Sequence, residues 1–158
     1  MRRAACLSLL ALSAAAAPAL GQVGELHLGA IASHTDAYGA GAGIVIGAAP
    51  VRLSYAGLRW LRSDGAQLFG ADAGLMLPAG PVELMPGLGL GAIRYAGGDT
   101  EFFAAPGAAV EVHLGRFAII PEARWIVSGR PEVAVQRYQG LQLSIRLVAT
   151  LEFGRIRH

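Results

Sequence analysis

The sequence has no lysine, so its thirteen basic residues are all arginine, and its single cysteine, Cys6, falls close to the start. With no cysteine after that position, a disulfide frame, a thiol nucleophile and a thiolate metal site are excluded from the rest of the chain. Aromatic residues make up 7% and charged residues 15%, against 54% hydrophobic. Even so, beyond the first twenty residues no apolar run reaches the roughly 18 residues a membrane helix requires. Glycine and proline interrupt every candidate, as in Gly39-Ala40-Gly41-Ala42-Gly43. Also missing are a Gly-x-Ser-x-Gly elbow, a phosphate loop and a paired metal-ligand motif. No catalytic, cofactor-binding or metal-binding residue is therefore expected, and the expectation is that the chain is not an enzyme.

What is present begins with an export signal. Met1-Arg2-Arg3 forms a short positive segment, Ala4 to Ala17 is small and apolar, and Ala19-Leu20-Gly21 offers the residues a signal peptidase reads. Residues 1–21 are read as a signal peptide cleaved before Gln22, with an uncleaved anchor as the alternative, and residues 22–158 as one domain. Cys6 lies too early for a lipoprotein acceptor. Loss of Arg2 and Arg3 leaves eleven arginines against eleven acidic residues. The exported chain is thus neutral and lacks the electrostatic footprint of a nucleic-acid binder.

The segment Gly140–Phe153 carries the strongest pattern. Leu141, Leu143, Ile145, Leu147, Ala149, Leu151 and Phe153 share one parity, and Gln142, Ser144, Arg146, Thr150 and Glu152 share the other, with Val148 the one apolar exception. Side chains alternate across a strand, so this is one long two-faced strand. It is longer than the ~5–6 residues usual in soluble sheets and long enough for the about 9–11 residues of a membrane strand. Seven further alternating segments precede it: 25–33, 38–46, 51–61, 67–77, 82–95, 102–114 and 117–128. In the third, the register of Val51, Leu53 and Tyr55 shifts to Leu58 and Trp60, which predicts a bulge at Ala56-Gly57. Tight turns at Gly47–Pro50, Pro78–Pro81 and Gly115-Arg116 alternate with more polar connections at Ser33–Asp36, Arg62–Gly65, Gly97–Glu101 and Gly129–Arg137. The fold expected is an all-β, eight-stranded, antiparallel up-and-down transmembrane β-barrel, with short turns at one end and loops at the other.

Alternation does not say which face is wet. A soluble, lipocalin-like barrel binding a small apolar ligand would turn the apolar parity inward. Strand length, and the glycines Gly39, Gly41, Gly43, Gly70, Gly74, Gly87, Gly89, Gly91 and Gly107 on the charged parity, favour the opposite. Glycine wastes an outer face but makes room in a narrow lumen. Tyr38, Tyr55, Trp60, Phe69, Phe102, Phe117, Trp125 and Phe153 are then candidates for interfacial girdles. Glu25, Arg52, Asp72, Glu83, Glu111, Glu122, Arg124, Arg146 and Glu152 point inward, joined by Arg59 if the bulge exists, while Arg94 snorkels near a strand end. Asp72, Glu122, Arg124 and Arg146 are expected to meet near mid-height, where paired charges satisfy one another. An eight-stranded barrel has room for little more than its own side chains, so a hydrogen-bonded plug is expected and a narrow conduit is the alternative.

The four histidines carry less information. His27 and His113 share the inward parity near the tight turns, beside Glu25, Glu83 and Glu111. Such a group can bind a metal or sense pH, but no ligand spacing repeats and the reading adopted is polar filling. His34 cannot face its neighbour Ser33 on a strand, and His158 lies in the tail.

Together the leader, the eight long strands, the turn asymmetry and the final Leu147, Leu151 and Phe153 resemble the small bacterial outer-membrane β-barrel superfamily of OmpA- and OmpX-type domains. That resemblance implies outer-membrane lipid as surroundings, the barrel-assembly machinery as a partner in biogenesis, and a structural or surface role in the Gram-negative envelope, with loops, chiefly Gly129–Arg137, available to a surface ligand. It also raises the alternative of a lipid-modifying enzyme, although no His/Ser signature supports one. The chain departs from the family pattern in continuing past Phe153 with Gly154-Arg155-Ile156-Arg157-His158. No peptidoglycan-binding domain is expected after the barrel.

Overall fold

Alternating side chains of opposite character force each segment to show different chemistry on its two faces, and antiparallel pairing then satisfies the backbone. In the computed structural model this produces β1 (Gly24–Thr35), β2 (Gly39–Val51), β3 (Ser54–Ser63), β4 (Ala66–Leu75), β5 (Leu77–Ala79), β6 (Val82–Tyr95), β7 (Thr100–Leu114), β8 (Phe117–Arg130) and β9 (Val135–Phe153). The structure describes residues 24–36, 38–51, 53–130 and 135–153. The leader 1–21, Arg52 and the residues after Phe153 lie outside the described residues.

Every pairing is antiparallel and the sheet closes. Its order is β4-β3-β2-β1-β9-β8-β7-β6-β5, and β4 also pairs with β6. Chain segments β4 and β5 run along the same neighbour, β6, with only Met76 between them, so together they are one wall of the barrel. The result is an eight-stranded antiparallel up-and-down β-barrel. Neighbours in the chain are neighbours in the wall, and the first and last strands join along Gly24↔Phe153 to Thr35↔Gln142. Closure joins the first and last strands, so over their paired length neither is left as a sheet edge. Gly80 and Gly115 occupy two of the tight turns with φ of 67° and 72°, a backbone region that disfavours side chains with a Cβ.

The apolar parity faces outward. Leu28, Ile44, Leu58, Phe69, Leu90, Phe102, Phe117, Trp125, Leu141, Ile145, Leu147 and Leu151 are all exposed, and Phe102 reaches 59%. The charged parity faces the lumen, where Arg59, Asp72, Glu111, Glu122, Arg124 and Arg146 are buried. The apolar parity is therefore not the one turned inward, as a lipocalin-like barrel would have it.

Four sequence expectations change. First, β3 pairs with β2 without interruption through Ala48↔Ala56 and Gly47↔Gly57, and the irregularity lies between Ala48 and Val51 instead. No bulge is needed because Tyr55 faces inward: Gly47 and Gly57 leave a pocket in which a Cβ would sit 2.5 Å and 2.6 Å from the Tyr55 hydroxyl. Tyr55 is thus no girdle residue. Second, Tyr38 precedes β2 and is buried, its hydroxyl accepting a 2.9 Å hydrogen bond from Gln142 Nε2. Third, Glu101 belongs to β7 rather than to a loop. It is buried and accepts a 2.9 Å bond from the Ser128 hydroxyl. Fourth, both ends of the expected loop Gly129–Arg137 belong to strands, with Gly129↔Gln136 and Arg130↔Val135 in register, while residues 131–134 lie outside the described residues.

The lumen also contains apolar side chains that the alternation did not assign to it. Ile31, Leu61, Leu68, Ile93, Phe103, Ile120, Ile126 and Val148 face inward and are buried. They fill the barrel on either side of the charged residues. Ile126 has 0% exposure, and its truncation to alanine should cost about 2–5 kcal/mol through the cavity left behind. Guanidinium unfolding of the detergent-folded barrel would measure this.

Candidate functional site: a buried charge network and a carboxylate–imidazole cluster

Four strands contribute to the centre of the lumen: β3 supplies Tyr55 and Arg59, β4 Asp72, β8 Glu122 and Arg124, and β9 Arg146. Glu122 is the hub. Arg59 donates to it from Nη1 at 2.8 Å and Nη2 at 3.1 Å. Arg124 donates from Nε and from Nη2, the latter at 3.1 Å. Arg146 Nη2 lies 3.0 Å from Glu122 Oε2, the oxygen that also accepts from Arg59 Nη2 and Arg124 Nη2. Asp72 is the second anchor, accepting from Arg59 Nε at 2.7 Å and from Arg124 Nη1. Arg146 also donates from Nη1 to the Tyr55 hydroxyl at 3.0 Å, and its guanidinium carbon sits 5.5 Å from the centroid of that ring. Planar guanidinium forks fit carboxylates in this bidentate way, which lysine could not reproduce.

Glycine creates the space. A Cβ on Gly89 would approach Asp72 Oδ1 to 2.8 Å and Arg124 Nη1 more closely still. On Gly107 it would stand 2.6 Å from Arg124 Cγ, and on Gly70 3.0 Å from Phe103 Cζ. The glycines of the charged parity therefore trade side-chain volume for the bulk of arginine and phenylalanine on facing strands.

A second cluster lies at the tight-turn end. His27 Nε2 is 3.3 Å from Glu25 Oε2 and 3.8 Å from Glu111 Oε1, and His113 Nε2 is 3.7 Å from the same Glu111 oxygen. Glu83 stands opposite Glu111 in the β6–β7 register, and Glu152 opposite Glu25 in the β1–β9 register. The structure thus brings together Asp72, Glu122, Arg124 and Arg146, adds Arg59 and Tyr55 to them, and gathers Glu25, Glu83 and Glu111 separately. Glu152 is exposed at its strand end, and Arg52 lies outside the described residues. Leu147 and Leu151 face outward on the final strand.

Tyr55 was hidden in the sequence because its inward parity looked like a register shift. Arg59 was conditional on that shift, yet it lies inward in an unbroken strand. The paired glycines at 47 and 57, on facing strands, were the signal for both.

Neither cluster contains a nucleophile–base pair. A surface depression on the outer wall, lined by Ile44, Trp60, Phe69 and Leu90 among others, is almost wholly apolar.

Removing Glu122 would leave three buried arginines with one carboxylate. Glu122→Ala should therefore destabilise the folded barrel by about 3–5 kcal/mol, as when one member of a buried ion pair is lost. Glu152→Ala, at an exposed end, should change stability little. Denaturant titration of both variants side by side provides the check.

No protein-family model and no curated protein matches the sequence. Two solved structures are similar in fold. One, from work titled "De novo design of transmembrane beta-barrels", aligns over 80% of this chain and 95% of its own with 14% identity and a TM-score of 0.50. The other, the solution NMR structure of the de novo designed TMB2.3, aligns over 81% of this chain and 94% of its own with 12% identity and a TM-score of 0.52. What the chain shares with these proteins is the eight-stranded barrel fold.

Proposed function

We infer that this chain is a non-enzymatic integral outer-membrane barrel with a plugged interior and an envelope-structural role. The observation that carries this reading is the inversion of its faces: apolar side chains cover the outside of a closed barrel and ion pairs fill the inside. In water such a surface would be an extended apolar patch of a kind monomeric proteins avoid. In a bilayer it is the favourable arrangement, and closure satisfies every backbone group that lipid cannot. An aromatic row adds support. Trp60 and Phe69 are register partners with rings 6.4 Å apart, and Phe69 continues through Ala92 to Phe102. Aromatics grouped toward strand ends suit the membrane–water interface. Fold similarity to designed transmembrane barrels points the same way.

The plug reading rests on Glu122, Asp72 and three guanidinium groups meeting across the lumen, with apolar residues filling either side. Export by the leader 1–21, handling by the barrel-assembly machinery and contact with outer-membrane lipid belong to the same proposal. Short connections favour envelope structure over broad surface recognition, and any surface ligand would meet hairpin tips rather than a large loop.

The protein purified in detergent should migrate differently in gels before and after boiling, with β-type circular dichroism, and should show no single-channel conductance in a planar bilayer. Full solubility without detergent and no gel shift would overturn the membrane reading, and steady conductance would overturn the plug. A second check uses the outer wall. Ile145, 52% exposed, becomes a lipid-facing charge in Ile145→Arg, and refolding into liposomes should lose about 2–4 kcal/mol.

A further inference from the structure

The carboxylate–imidazole cluster is built differently from the central network. In the centre each carboxylate has guanidinium partners. At the tight-turn end Glu111 is 0% exposed, yet neither of its carboxylate oxygens has a hydrogen-bond partner. His27, equally deep, has an unpartnered Nδ1, and Glu83 has an unpartnered Oε2. The strand registers worsen this. They set Glu83 directly opposite Glu111 and Glu25 directly opposite Glu152, and facing like charges destabilise a sheet. Among the described residues, the inward arginines are Arg59, Arg124 and Arg146, and each is engaged by Asp72, Glu122 or Tyr55. A buried carboxylate with no hydrogen-bond donor among the described residues, only imidazole nitrogens at 3.7–3.8 Å and carboxylates around it, is a place where a bound cation would be favourable.

We propose that Glu25, His27 and Glu111 bind a divalent transition-metal ion of the zinc class at the tight-turn end of the lumen. One ligand atom from each of these residues falls within 4.8 Å of the other two, and Glu83, Glu111 and His113 form a second such triad sharing Glu111. Imidazole and carboxylate ligands bind zinc at about 2.0–2.2 Å, which places neighbouring tetrahedral ligands roughly 3.3–3.6 Å apart. The separations of 3.3 Å and 3.8 Å from His27 Nε2 to Glu25 and Glu111 therefore need only small side-chain adjustments to close on an ion. A mixed nitrogen–oxygen set favours zinc-class metals over calcium or magnesium, which take oxygen. His113, 36% exposed, and Glu25 at the rim leave a path from solvent and room for a water in the fourth position. The ion would neutralise the carboxylates that the register forces together, and so tie β1 to β7 across the lumen. This inference stands on the cluster alone and does not depend on the membrane reading.

Cobalt(II) is the probe, because its visible absorption reports nitrogen and oxygen ligands and low coordination number. The detergent-purified protein, stripped of metal, should develop an intensified visible band that saturates at one ion per chain and is displaced by zinc, with a raised melting temperature. Glu111→Gln should weaken binding by at least about tenfold, and Glu25→Gln, at the more exposed rim, should do the same without threatening the fold. Glu101→Gln, at the other end of the barrel, should bind as the parent does. A spectrum no different from hydrated cobalt, or affinity that survives both Glu25→Gln and Glu111→Gln, would overturn the proposal and leave the cluster as polar filling of the lumen end.

Discussion

Glu122 is buried with three guanidinium groups around it, and the rest of the barrel is arranged so that this is possible. An eight-stranded wall encloses a lumen only wide enough for side chains. Any charge inside must find its partner across that lumen, because the solvation it had in water is gone. Arg59, Arg124 and Arg146 reach Glu122 from three different strands, and Asp72 ties two of them together from a fourth. The ion pairs therefore act as crossbars between distant parts of the wall. They hold only for one register of each strand, since a one-residue slip would turn every inward charge outward. They thereby specify register in a sheet whose largely apolar outer face distinguishes registers poorly.

The crossbars depend in turn on absences. Arginine is bulky, and Tyr55 and Phe103 also lie inside. The lumen accommodates them because facing positions are glycine: Gly89 and Gly107 beside Arg124, Gly47 and Gly57 beside Tyr55, Gly70 and Gly91 beside Phe103. Glycine in a strand is ordinarily a cost in backbone entropy. Here that cost is offset by ion pairs and ring packing that no side chain at those positions would permit. The small and the large inward residues are two halves of one packing solution, written for the most part on different strands.

Much of this was legible in the sequence, because period-two alternation fixes parity and the all-β barrel follows from eight such segments. The final strand's Leu141, Leu143, Ile145 and Leu147 face out and its Gln142, Ser144 and Arg146 face in, as alternation requires. Alternation does not say what fills the inside. Ile31, Leu61 and Ile126 are apolar on the inward parity, so they blur the pattern where they occur, and only the closed wall shows that they pack against one another. Tyr55 was misplaced for a related reason: an aromatic near a strand end suits either a girdle or a glycine pocket, and the choice lies with Gly47 on another strand. Strand ends were the remaining difficulty. Gly129 and Glu101 look like loop residues locally, but hairpin pairing carries both into the wall.

The lumen is not electrically uniform along its length. Its centre holds three arginines against Asp72 and Glu122, a surplus of one positive charge among the described residues. Among the described residues, its tight-turn end gathers Glu25, Glu83 and Glu111 around the two imidazoles of His27 and His113. The excess arginine does not migrate to the excess carboxylate, because its reach is set by its strand position and Tyr55 holds it by hydrogen bond and ring face. A mobile counter-ion can correct an imbalance that covalent geometry has fixed. The two clusters thus represent two ways of keeping charge inside a narrow barrel: by side chains where all partners are in reach, and by an ion from solution where they are not and the strand end is open to it.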